Sequence, residues 1–182
     1  MNIGLSQRVL LHKKRAYDAL EQGWYSFFNT HTLFPIANRP NQNFESIAHQ
    51  LDCFVITGGN DSTIRRLTEI RLAHAMMVLQ KPVIGICHGC FLLTDILGGQ
   101  IGNISGHADV THNVSYFSGI KHVNSYHTLY IKRPHTKATV LVNDDQGNCE
   151  AWIDGNLAGI VWHPERMLVP WIPNEIAELF DK

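Results

Sequence analysis

The sequence carries no surplus of charge. Its 182 residues hold 15 Lys and Arg against 16 Asp and Glu, a formal net charge of −1. Nothing in that balance draws the chain to nucleic acid. No apolar run approaches the ~18 residues of a membrane helix. The order of a secretory signal is also missing, because the basic cluster Lys13-Lys14-Arg15 follows Val9-Leu10-Leu11 instead of preceding it. Cysteine is scarce. Cys53, Cys87, Cys90 and Cys149 fit a reducing, cytoplasmic setting rather than a disulfide framework. Repeats, low-complexity tracts and linkers are absent. With 45% hydrophobic and 17% charged residues, disorder and coiled coil are excluded, and one domain over 1–182 is expected. Only histidine is abundant, with eleven. A metal or proton-transfer site and a scatter of surface histidines are both open.

Short apolar runs alternate with longer amphipathic ones. Strands are expected at Asn2 to Leu5, Leu33 to Ile36, Cys53 to Ile56 and Val83 to Ile86. Helices are expected over Ala16 to Phe28 and Phe44 to Gln50, along the face Ile64, Leu67, Ile70, Ala73 and Met77, and over Phe91 to Leu97. Asp61, Ser62 and Thr63 are candidate caps for the third of these. The second half reads as strands at Asn113 to Tyr116, Thr128 to Lys132, Thr139 to Val142, Glu150 to Ile153 and Ala158 to Trp162, with a last helix from Asn174 to Phe180. The alternation in the first hundred residues predicts an α/β fold: a mostly parallel sheet, helices on both faces, and a β-rich C-terminal half. Ligands of such sheets sit beyond the carboxyl ends of the strands.

The segment Val83-Ile84-Gly85-Ile86-Cys87-His88-Gly89 has the form of a nucleophile elbow with cysteine in place of serine. A nucleophile on a tight strand-to-helix turn is pushed out of the sheet. Gly85 and Gly89 remove side chains where that turn closes, and the helix N-terminus favours thiolate. A buried structural cysteine is the plain alternative. The spacing Cys87-x-x-Cys90 also fits a dithiol redox pair. Zinc at the cysteines lacks a second close ligand pair.

Downstream, His163-Pro164-Glu165 follows an apolar strand. In extended chain, residues i and i+2 share a side, so Glu165 can orient the His163 imidazole. The order Cys87, His163, Glu165 then supplies nucleophile, base and orienter. Backbone N–H groups of His88, after the nucleophile, and of Gly59, at a neighbouring strand end, can serve as oxyanion donors. An ordinary tight turn at Gly58-Gly59 is the alternative.

Four ordered segments carry a resemblance: Thr57-Gly58-Gly59-Asn60-Asp61, Gly85-Ile86-Cys87-His88-Gly89, Val123-Asn124-Ser125-Tyr126-His127 and Val161-Trp162-His163-Pro164-Glu165. Together they resemble the class I glutamine amidotransferase-like family, in its γ-glutamyl-γ-aminobutyrate hydrolase branch. The resemblance implies a flavodoxin-like core and hydrolysis of a γ-glutamyl amide through a thioester. Cys87 is then the nucleophile, His163 the base and Glu165 its orienter, with Gly59 and His88 as oxyanion donors. Gly58, Asn60, Ser125, Tyr126 and His127 would adjoin the glutamyl group. No metal or cofactor is required, and His88, His107, His112, His122 and His127 are expected in loops near the site or on the surface. The chain departs from the family at Phe91, where glutamine is usual, and at Thr128-Leu129, where another glutamine often stands.

The partners implied are a small γ-glutamyl amide, no nucleic acid, no membrane and a homodimer as the oligomer to test. The stretch Leu5-Ser6-Gln7-Arg8-Val9, with Tyr17 to Leu20 and Trp24, is similar to hydrolases that release a cytidine diphosphoramidate from its γ-glutamyl precursor in bacterial capsule synthesis. The first strand should end at the same sheet edge as Cys87, which places Arg8 near the site mouth, facing a phosphate-bearing leaving group, with Arg39 and Lys13 to Arg15 adding positive field unless Lys13 to Arg15 form a solvated loop. A glutaminase subunit feeding a synthase, and a Cys87/Cys90 redox protein, are the alternatives.

Overall fold

A computed structural model describes residues 1–181. Strand β1 (Asn2–Ser6) is followed by a hairpin, β2 (Arg8–His12) and β3 (Arg15–Ala19). Next come α1 (Gly23–Phe27), β4 (Thr32–Ile36), α2 (Phe44–Gln50), β5 (Cys53–Ile56), α3 (Thr63–Val78), β6 (Val83–Ile86) and α4 (His88–Ile96). Seven strands follow: β7 (Gln100–Asn103), β8 (Ala108–Tyr116), β9 (Gly119–Tyr126), β10 (Leu129–Arg133), β11 (Thr139–Asp144), β12 (Cys149–Asp154) and β13 (Leu157–Ile160). A 3₁₀ turn at Pro164–Arg166 and the short α5 (Asn174–Ala177), with a 3₁₀ turn at Glu178–Phe180, complete the described chain.

Strands β4, β1, β5, β6 and β13 lie side by side and pair in parallel. Beyond β13 the sheet continues antiparallel through β12, β11, β8 and β9, and β10 and β7 branch from β12. Alternate residues of the parallel strands feed two cores, as the period of two requires. Ile3, Leu5, Val55, Ile84 and Ile86 pack with Trp24 of α1, Phe28 just beyond it and Ile176 of α5. Phe54, Ile56 and Val83 pack with Ala48 of α2, Leu72, Ala73 and Met76 of α3, and Phe91 to Leu93 of α4. Helices thus cover both faces. No helix among the described residues is long and apolar enough to cross a membrane.

Most expected elements are present, with three corrections. The helix expected over Ala16 to Phe28 is β3 followed by the short α1. Its first residues pair with β2 instead, in register from Arg8↔Ala19 to His12↔Arg15. The connecting residues Lys13 and Lys14 take φ of 47° and 63°, the two-residue turn with positive φ that suits a hairpin's twist. The helix expected from Phe91 begins three residues earlier, at His88. On α3, Ser62 is the cap, accepting from the Arg65 N–H. The face that α3 buries is not the one marked by Ile64 and Leu67, both 42% exposed. It is Arg65, Thr68, Glu69, Leu72, Ala73 and Met76.

Candidate active site

The carboxyl ends of β5, β6 and β13 meet at one edge of the sheet. Cys87 leaves β6 there with φ 50° and ψ −105°, a conformation that costs about 1–3 kcal/mol and persists only where its surroundings impose it. They do. The Cys87 N–H donates to the Ile160 carbonyl at 2.8 Å, and a Cβ at Gly85 would overlap the Gly89 carbonyl. A Cβ at Gly89 would in turn overlap the Ile56 carbonyl. The two glycines let strand, turn and helix close on one another, and the thiol is left at a cavity of about 260 Å³.

His163 sits two residues beyond Val161, where β13 has already ended. Asn124 of β9 clamps it: its side chain donates to the His163 carbonyl and accepts from the His163 N–H, both at 2.8 Å. Contrary to the expectation, the chain does not stay extended to Glu165. It turns into the 3₁₀ segment at Pro164, and this turn brings the Glu165 carboxylate to His163 Nδ1 at 2.7 Å. Both side chains are buried. Burial pushes the imidazole pKa down, but the Cys87 sulfur and the Glu165 carboxylate that accepts from Nδ1 outweigh it and raise it to about 9. With Nδ1 facing Glu165, Nε2 is left for the thiol. The imidazole therefore stands between the Cys87 thiol and the Glu165 carboxylate that orients it.

Gly59 and His88 line the cavity beside Cys87, with Phe91, Tyr126 and Leu129. Two residues that sequence reasoning missed hold these parts together. Arg65 is fully buried. Its guanidinium donates to the carbonyls of Thr57 at 2.6 Å and Asn60 at 2.8 Å, on either side of Gly58-Gly59, and to Glu69 at 2.7 Å. The other Glu69 oxygen lies 2.9 Å from His88 Nε2. Despite its burial, Glu69 stays below the usual carboxylate range through His88 and Arg65. The i, i+4 spacing of Arg65 and Glu69 was the available signal.

The remaining expected residues divide. Tyr126 lies edge-on to His163, with ring centroids 5.5 Å apart, beneath the Arg166 guanidinium. His127 lines the cavity on one side. Gly58 packs against the His163 ring. Ser125 is turned away, fully buried and bonded to the His107 carbonyl. Asn60 donates to the Val9 carbonyl and braces the hairpin. Arg8 lies against Gly59, and its guanidinium is paired to Glu21 at 2.9 Å, which also binds Arg166. Lys13 to Arg15 are exposed at the hairpin turn. His122 is on the surface and His88 at the site, whereas His107 and His127 are interior.

Cys90 does not form an accessible pair with Cys87. It is fully buried, and burial raises its thiol well above the usual range. Burial likewise raises Cys53, and pushes Cys149 up to about 12. Iodoacetamide should therefore label Cys87 first in the folded protein, by at least about tenfold over the others. Site-resolved mass spectrometry reads the order, and equal rates at Cys87 and Cys90 would restore the redox alternative.

Residues 18–181 match the family model described as Glutamine amidotransferase class-I. The chain belongs to this family. Among curated members it is similar to a glutamine-hydrolyzing GMP synthase subunit from Halobacterium salinarum, 29% identical over 126 residues, covering 63% of this chain and 66% of that protein. It is also similar to the pyridoxal 5'-phosphate synthase subunit PdxT of Haemophilus ducreyi, 41% identical over 54 residues and 29% of each chain. The chain thus spans less than two thirds of either relative. A solved glutamine amidotransferase of Thermotoga maritima superposes with TM-score 0.72 at 14% identity, covering 98% of this chain and 80% of that one. That likeness establishes the flavodoxin-like amidotransferase fold.

Proposed function

We propose that this amidotransferase-family protein is a free-standing hydrolase of γ-glutamyl amides, working through a Cys87 thioester. The observation that supports this most is the chain from Cys87 through His163 to Glu165, with its 2.7 Å imidazole–carboxylate bond, at the edge of a cavity. With its proton already held by His163, whose raised pKa favours the imidazolium, Cys87 Sγ attacks the side-chain amide carbonyl. The oxyanion accepts from the N–H groups of Gly59 and His88. Collapse breaks the C–N bond, and the proton passes from His163 to the leaving amine. His163 then takes a proton from water, which cleaves the thioester to glutamate and restores the thiol. Glu165 keeps the imidazole oriented throughout.

Phe91, at the position where the family usually has glutamine, gives the cavity an apolar wall with Leu129. This favours a substrate other than glutamine itself. Arg8 against Gly59 favours a leaving amine that bears phosphate, of which cytidine diphosphoramidate is the candidate. The test is a set of γ-glutamyl amides, including glutamine, γ-glutamyl-γ-aminobutyrate and a nucleotide-linked γ-glutamyl phosphoramidate, followed by mass spectrometry with Cys87→Ala as control. The expected result is an acyl-enzyme and free glutamate with wild type only, fastest for the nucleotide-linked amide. Arg8→Ala should slow that substrate selectively. Equal product with Cys87→Ala would overturn the mechanism. The relatives named as synthase subunits support a second reading, ammonia supply to a synthase. Efficient turnover of glutamine, and of no other amide, would favour it.

A further inference from the structure

Behind the wall of the cavity lies a cluster that the proposed reaction does not use. His107 precedes β8, His112 lies within β8, His127 follows β9, and Glu150 belongs to β12. One ligating atom from each lies within 4.8 Å of all the others. His107, His127 and Glu150 are more than nine-tenths buried. His107 Nδ1, His112 Nε2, His127 Nε2 and Glu150 Oε2 are all buried without a hydrogen-bond partner. Glu150 is 3.8 Å from His112 Nε2 and 4.0 Å from His127 Nε2, too far for hydrogen bonds.

We propose that these four side chains form a closed structural site for a divalent transition metal of the zinc type. Three imidazoles and a carboxylate are a zinc donor set, and four protein ligands complete a tetrahedron with no open position. With bonds of about 2.0–2.1 Å, the ligand atoms of such a site lie about 3.4 Å apart. The observed spacing closes to that by small side-chain movements. A cation serves all four ligand atoms at once.

The surroundings fit the same assignment. His127 Nδ1 bonds the Leu129 carbonyl at 2.6 Å, which fixes the tautomer with Nε2 turned to the cluster. Asp144 stands 4.0 Å from His107 Nε2 and is bonded to Gln146 and Asn148, as an outer partner would be. The metal would tie β8 and β12 to the turn that carries Tyr126 and Leu129 into the cavity. It would set the shape of that wall without touching the reacting thiol.

The test uses the full chain with Cys87→Ala, so that the thiol cannot bind metal. After zinc loading and gel filtration, elemental analysis should find about one equivalent per chain. Cobalt in its place should give the visible absorption of a tetrahedral ion, and the melting temperature should rise with zinc. His112→Ala, at the rim, and Glu150→Ala should each weaken binding about tenfold or more. His112→Ala serves as the readout if the buried variant misfolds. No retained metal in Cys87→Ala, or equal retention with His112→Ala in a folded protein, would overturn the site.

Discussion

His163→Ala is expected to lower turnover of the preferred γ-glutamyl amide by about 10⁴- to 10⁶-fold, the range seen when a triad base is removed. The thiol loses the acceptor of its proton, and the leaving amine loses its donor. The ring itself fills a buried place between Asn124, Gly58 and Tyr126, so an assay alone does not separate chemistry from packing. Two further readouts do. Added imidazole should restore part of the activity to His163→Ala, because it can occupy the vacated space and carry the proton. Glu165→Gln should lose less than His163→Ala, since its amide oxygen still accepts from Nδ1. A folded His163→Ala protein with wild-type turnover would remove His163 from the mechanism.

Gly58→Ala should also be strongly damaging although it changes no functional group. A Cβ at this position would overlap Cε1 of the His163 ring. The backbone clamp from Asn124 prevents the histidine from retreating as a whole, so the ring must swing away from the thiol or from Glu165. A displacement near 1 Å is worth about 10² in kcat. The expected outcome is a fall of at least that size in kcat, little change in KM, and a folded spectrum. Unchanged kcat would show that the ring tolerates the shift, or that its position does not govern the rate.

The elbow was legible because its whole geometry is local: an apolar strand, two glycines and a helix start within seven residues. His163 and Glu165 were legible for the same reason, although the turn at Pro164, not an extended chain, brings them together. The frame around them was not. Apolar periodicity selects a helix face by its oily residues, and α3 buries Arg65 and Glu69 instead because the Thr57 to Asn60 carbonyls and His88 need partners. The first hairpin escaped because Lys13-Lys14 takes a turn usually announced by Asn-Gly. His107, His112, His127 and Glu150 are spread over 44 positions and meet only when β8, β9 and β12 assemble. No spacing rule joins them in advance.

The left-handed backbone at Cys87 bears on time as well as shape. Its cost falls on the chain once, as the parallel strands close and the Ile160 carbonyl takes the Cys87 N–H. Every encounter afterwards meets a sulfur already lifted from the sheet. A molecule that turned over a million substrates would have settled that cost a single time, so the orientation of its nucleophile would add nothing to the barrier of each cycle.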